Sequence, residues 1–171
     1  MRCLSVTART LRETHMQQIY TPGYEGLNIN QFFAILQSYD IDKLIDVRQL
    51  ALSRKKGFSK TSLNSASIQK NIQYLHFKEL GCPKHIRTAY SINKNWGFYT
   101  ENYLLHLDIQ TDALVNLANI ASESRCVLLC YESDVNTCHR LYIANYLVQN
   151  HDFLTSHLTK QDLQMQAVAA D

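Results

Sequence analysis

Short apolar runs alternate with segments of helical periodicity along most of this chain, and that alternation limits the folds open to it. The runs are QQIYTPG (17–23), KLIDVR (43–48), IQYLHF (72–77) and CVLLCYE (126–132). After the first, Asn28 with Gln31 three residues on reads as a capping box, and Ile29, Phe32, Phe33 and Leu36 follow at helical spacing. A weak helix is expected over 60–70. A long helical region is expected from about Gly97 to Ala121, broken near Asp108 to Thr111, with Leu114, Leu117, Ala118 and Ala121 on one face. A further helix is expected from Thr137 to Gln149 with Leu141, Ala144, Leu147 and Val148 inward, and FLTSHLT (153–159) reads as a last edge strand. Strands alternating with helices give an α/β fold: three layers, a mostly parallel sheet with helices on both faces.

The length, 171 residues, suits one such domain. Its expected bounds are 16–160, with an N-terminal arm over 1–15 and a tail over 161–171. The arm sets Arg2, Arg9 and Arg12 among Ser and Thr, as a transit peptide or flexible arm would, and Met16 is an alternative start just before the first strand. No stretch has the ~20 apolar residues of a membrane helix. The five cysteines are an odd, scattered set, which speaks against a disulfide framework and for a reducing, cytoplasmic setting. No motif names a cofactor.

Net charge is +2, but it is polarised: between Val47 and Thr100 stand ten basic residues and a single acid, Glu79. That imbalance points to an anionic partner. On a parallel sheet, ligands gather beyond the carboxyl ends of the strands. The segments after the four runs therefore share a rim and pool their polar side chains. The first brings Tyr24 and Glu25. The second brings Asp46, Arg48, Arg54, Lys55, Lys56 and Lys60. The third brings Glu79, Cys82, Lys84, His85 and Arg87, and the fourth Cys130, Glu132, Asp134, Cys138, His139 and Arg140. Four of the five glycines and both prolines fall in these same segments.

Within LLCYESDVNTCHR (128–140), Cys138-His139-Arg140 sits where a helix is expected to begin, so unpaired N–H groups and Arg140 would cradle an anion. The expected anion-binding set is Arg48, Arg54, Lys60, Arg87, Arg140 and Tyr24. The expected catalytic set is Glu132 and Glu25 as general-base candidates, His139 for proton exchange near neutrality, and Cys130 as a thiol facing the rim. No metal set is assigned, because adjacent Cys138 and His139 are expected to point to different faces. The phosphatase spacing C-x5-R fails from Cys130, where Asn136 stands at the arginine position, and from Cys82, where Arg87 comes one residue early.

Four blocks, YTPGYEG, IDVR with SRKKGFSK, FKELGCP and LLCYESDVNTCHR, resemble in sequence and order the uncharacterised bacterial family "domain of unknown function 488". The resemblance runs from about Ile19 past Arg140 and implies a three-layer α/β fold without implying an activity. The leading expectation is a hydrolase-like enzyme that acts on a phosphate-bearing substrate, a nucleotide or nucleic acid, by acid–base chemistry at the sheet's carboxyl edge. The alternatives are a non-catalytic nucleic-acid-binding module, using charge for backbones and the rings of Tyr74, His76, Tyr90, Trp96, Phe98 and Tyr99 for bases, and a thiol-dependent sulfur or redox enzyme using Cys130 and Cys138.

Overall fold

The computed structural model describes residues 17–159 and 161–162. The N-terminal arm and most of the expected tail lie outside the described residues.

Five strands form one parallel sheet: β1 (Gln17–Tyr20), β2 (Lys43–Asp46), β3 (Gln73–His76), β4 (Cys126–Leu129) and β5 (Phe153–Ser156), in the order β3-β2-β4-β1-β5. Among the described residues six helices connect or flank them: α1 (Ile29–Ser38), α2 (Lys60–Gln69), α3 (Lys84–Asn93), α4 (Trp96–Asp108), α5 (Thr111–Ser122) and α6 (Arg140–His151). The α/β expectation holds. The period of two in the strands explains the layering. Ile19, Ile45, Cys126 and Leu128 face a core built with α4, α5 and α6. Leu44, Val127 and Leu129, the alternate positions, face a second core built with α1 and α2. β4 is buried along its whole length, as a central parallel strand must be.

Local signals match where they were clear. The Asn28–Gln31 capping box starts α1, each side chain accepting the other's backbone N–H at 2.9 Å. The break at 108–111 separates α4 from α5, and the expected face of α5 is the buried one. Two readings need correction. α3 lies where no helix was expected, because its apolar face is short, Ile86 with half-buried Ala89 and Tyr90, and only Ile86 is fully buried. α6 begins at Arg140, three residues late, after a 3-10 turn over Val135–Thr137 capped by the Asp134 side chain. That shift turns Arg140, Ile143, Ala144 and Leu147 inward and leaves Val148 42% exposed and Leu141 only half-buried.

The sheet order places the site. The connection after β2 runs outward to β3, and the one after β4 runs the other way, past β1 to β5. Their helices lie on opposite faces, so a crevice opens where β2 and β4 end. Among the described residues no helix is long and apolar enough to cross a membrane.

Candidate active site

The crevice is a cleft of about 560 Å³. Tyr24 reaches it from the loop after β1, and Arg48 to Lys55 from the loop after β2. Cys82 and Arg87 come from the segment after β3, and Cys130 to Glu132 with His139 from the loop after β4. The four sequence segments expected to meet on one rim do meet. Two glycines make the meeting close. A side chain at Gly23 would collide with the Glu132 carbonyl, and one at Gly81 with the backbone of Gln49. Gly23 also bridges Cys130, and the Glu25 carboxylate accepts from the Ser133 N–H and hydroxyl, both at 3.0 Å.

The floor is a polar cluster at the end of β4. The Cys130 and Cys138 thiols both donate to Glu132 Oε2, at 3.0 Å and 3.1 Å. His139 Nε2 lies 2.9 Å from the Val47 carbonyl. A carbonyl only accepts, so Nε2 carries a hydrogen and Nδ1 faces the sulfurs, 3.6 Å from Cys130 Sγ and 3.9 Å from Cys138 Sγ. The expectation that Cys138 and His139 diverge is therefore wrong. Cys138 is extended (φ −132°, ψ 139°) and His139 is helical (φ −60°, ψ −24°), so the chain turns between them and brings both side chains inward.

Electrostatics assign the protons. Burial opposes ionisation of Glu132. The Cys130 thiol, its own backbone N–H, the Cys138 thiol and the charge of His139 outweigh that, and its pKa lies below the usual carboxylate value. Burial pushes the Cys138 thiol well up, and Cys130 beside it adds to the effect. Burial also works against an imidazolium at His139, yet Cys138, the Val47 carbonyl and Glu132 together raise its pKa. The floor is thus a carboxylate favoured in its ionised form that accepts hydrogen bonds from both thiols. Cys82, also in the cleft wall, has its thiol pushed up to about 11, chiefly by burial.

The cationic residues divide sharply. Arg54 and Arg87 are exposed in the cleft wall, and Lys55 is half-buried there with Nζ on the Tyr24 carbonyl at 3.0 Å. Arg87 Nε donates to the Cys82 carbonyl and Nη2 to Gln49, which aims its guanidinium across the mouth. Arg48 and Arg140, expected to bind anions, are both otherwise engaged. Arg48 is 6% exposed and forks onto Asp46, Nε to Oδ1 at 2.8 Å and Nη2 to Oδ2 at 2.5 Å, while Nη1 donates to the Tyr24 hydroxyl and the Phe58 carbonyl. Tyr24, 2% exposed and stacked on Phe58, is part of that strut and not an anion donor.

Arg140 is fully buried and donates to the Glu132 and Ser133 carbonyls at 2.6 Å and 3.2 Å, so it clasps the loop. The anion cradle expected beside it is closed as well. The N–H groups of Cys138, Leu141 and Tyr142 donate to the carbonyls of Val135, Cys138 and His139. Lys60 stands at the start of α2 with Nζ near His76, outside the cleft lining. Glu25 is a tie between loops and does not line the cleft.

One wall is built from aromatics of the basic segment, the residue type expected to stack on bases. Tyr90 from α3 and Trp96 and Tyr99 from α4 form an aromatic cluster, Trp96 stacked on Tyr99 with centroids 4.5 Å apart. These residues come from helices and not from strand-end loops. The signal in the sequence is four aromatics within ten residues, Tyr90, Trp96, Phe98 and Tyr99, around a helix break at Lys94, whose φ is +52°.

No curated protein and no solved structure matches the chain. Residues 28–147, which span β2 to β4 with the cleft floor, match the family described as "Domain of unknown function DUF488", and the chain belongs to that family.

Proposed function

We propose that this protein is an enzyme that acts on a small phosphate-bearing substrate with a flat ring, a nucleotide being the nearest chemical class. The observation that carries the reading is an ionised, half-buried Glu132 on the floor of a cleft whose mouth holds Arg54, Lys55 and Arg87. The cations would neutralise phosphate, and the Tyr90–Trp96–Tyr99 wall would pack against the ring. A cleft of about 560 Å³ suits such a molecule, within the ~300–1,000 Å³ of small-ligand sites. Glu132 then takes the proton as general base, with the Cys130 and Cys138 thiols orienting its carboxylate. Thiolate chemistry is the weaker reading, because the Cys138 thiol is held protonated and both thiols spend their hydrogens on Glu132. Free thiols at Cys82, Cys126, Cys130 and Cys138 support a reducing compartment such as the cytoplasm.

The test is a panel of nucleotides, their ring-free phosphate analogues and short oligonucleotides, scored for thermal stabilisation and for turnover. Mononucleotides are expected to stabilise the wild type, and Arg87→Ala is expected to lose that effect. Turnover is expected in the wild type and not in Glu132→Gln. Stabilisation by oligonucleotides alone, falling steeply with salt and unaffected by Arg87→Ala, would favour the nucleic-acid-binding module over the enzyme.

A further inference from the structure

The four polar side chains of the cleft floor have a property that acid–base chemistry does not require. Cys130 Sγ, Cys138 Sγ, His139 Nδ1 and a Glu132 carboxylate oxygen all lie within 4.8 Å of one another. We infer that these four atoms form a tetrahedral binding site for a zinc-class divalent cation.

Bond lengths support this. A tetrahedral ion with sulfur at ~2.3 Å and nitrogen or oxygen at ~2.0–2.1 Å sets its donors roughly 3.5–3.8 Å apart. The sulfur-to-nitrogen edges already measure 3.6 Å and 3.9 Å. The two sulfur-to-oxygen edges, 3.0 Å and 3.1 Å, are shorter because thiol hydrogens now bridge them. An ion replacing those hydrogens needs each edge to open by roughly 0.5 Å, a small side-chain rotation.

The surroundings are also those of a ligand set. His139 donates Nε2–H to the Val47 carbonyl, which fixes the ring and leaves Nδ1 as the ligand atom. Arg140 holds the Glu132 carbonyl, and Glu25 holds Ser133, so the loop carrying the donors is braced on both sides. Two sulfurs and an imidazole, all buried, select zinc, cobalt(II) or iron(II) over magnesium and calcium, which want oxygen. On binding, the Cys130 and Cys138 protons pass to solvent, and two thiolates and one carboxylate meet the two positive charges of the ion.

The inference deepens the functional reading and rests on the same cleft floor. Glu132 is the only half-exposed donor of the four, and it lines the cleft. It is therefore the corner at which a substrate oxygen can exchange, and the ion would supply Lewis-acid polarisation there.

The experiment is a titration of the full chain, stripped with chelator under reducing conditions, with cobalt(II) chloride and then zinc chloride. The expected result is one equivalent of cobalt(II), with sulfur-to-cobalt charge-transfer absorption and the intense visible bands of tetrahedral coordination, displaced by zinc. Cys138→Ser and His139→Asn are expected to lose the stoichiometric site, and Cys126→Ser, a buried thiol outside the cluster, to keep it. A wild-type spectrum without sulfur charge transfer overturns the inference, and so does an unchanged spectrum in Cys138→Ser. The wild-type spectrum decides alone if the variants fail to fold. Turnover without cobalt uptake sinks the metal site and leaves the enzyme reading standing. Cobalt uptake with no turnover on any substrate does the reverse.

Discussion

Arg48 offers the sharpest test of how this cleft is held. Its guanidinium is buried against Asp46, which is fully enclosed, and makes four side-chain hydrogen bonds that tie β2 to Tyr24 and to the loop at Phe58. Arg48→Ala removes the partner and leaves a carboxylate inside the protein. Breaking a buried pair in this way costs about 3–5 kcal/mol. Asp46 keeps two other donors, the Tyr74 hydroxyl at 2.7 Å and the backbone N–H of residue 48 at 3.1 Å. The low end, about 3 kcal/mol, is therefore expected. Urea unfolding reads this as a midpoint lowered by roughly 1–3 M, given slopes of about 1–3 kcal/mol/M, with the slope unchanged. Asp46→Asn with Arg48→Met removes both charges and is expected to recover most of the loss. The same double variant is expected to retain nucleotide stabilisation, because it leaves the cations at the mouth, Arg54, Lys55 and Arg87, unchanged. A loss below about 1 kcal/mol in Arg48→Ala would refute the argument, since no buried ion pair of consequence could then exist there.

Other outcomes follow from single contacts. Cys82 ionises near 11 in the folded protein against an ordinary 9.0. The unfolded chain therefore sheds this proton first, the folded state binds more protons above pH 9, and stability is expected to fall between pH 9 and 11. Cys82→Ala should flatten that part of a pH–stability profile; an unchanged slope would count against the assignment. Gly81→Ala is expected to lower the thermal midpoint by several degrees and weaken ligand binding, because its methyl group would displace the backbone of Gln49 at the cleft edge. Asn28→Ala, which opens the α1 capping box, is expected to cost about 1 kcal/mol in chemical unfolding while leaving nucleotide stabilisation unchanged.

The sheet and most helices were legible because apolar periodicity dictates them. KLID and CVLL could be read as buried parallel strands from their composition alone, and Asn28 with Gln31 marked a helix start through local chemistry. α3 was overlooked because Lys84–Asn93 is polar on the whole and its apolar face, Ile86, Ala89 and Tyr90, spans little more than one turn. The site was legible as a location and not as an assignment of roles. Arginines at 48 and 140 look alike in a sequence to the exposed one at 87. What separates them is an enclosed Asp46 in one case and two loop carbonyls in the other, partners that exist only once the chain has folded. Cys138 and His139 were misjudged for a related reason. A 3-10 turn capped by Asp134 delays α6, and the helical angle assumed between neighbours does not apply.

All four donor side chains of the floor belong to one ten-residue stretch, Cys130 to His139, which Arg140 clasps to itself through two carbonyls. The charged and aromatic walls belong to segments thirty or more positions upstream. Under the proposed function the chemistry would thus be carried as a self-contained cassette, with recognition borrowed from elsewhere in the chain. On that reading, descendants of such a protein could change what they recognise by altering Arg54, Arg87 or Trp96 and inherit the floor intact.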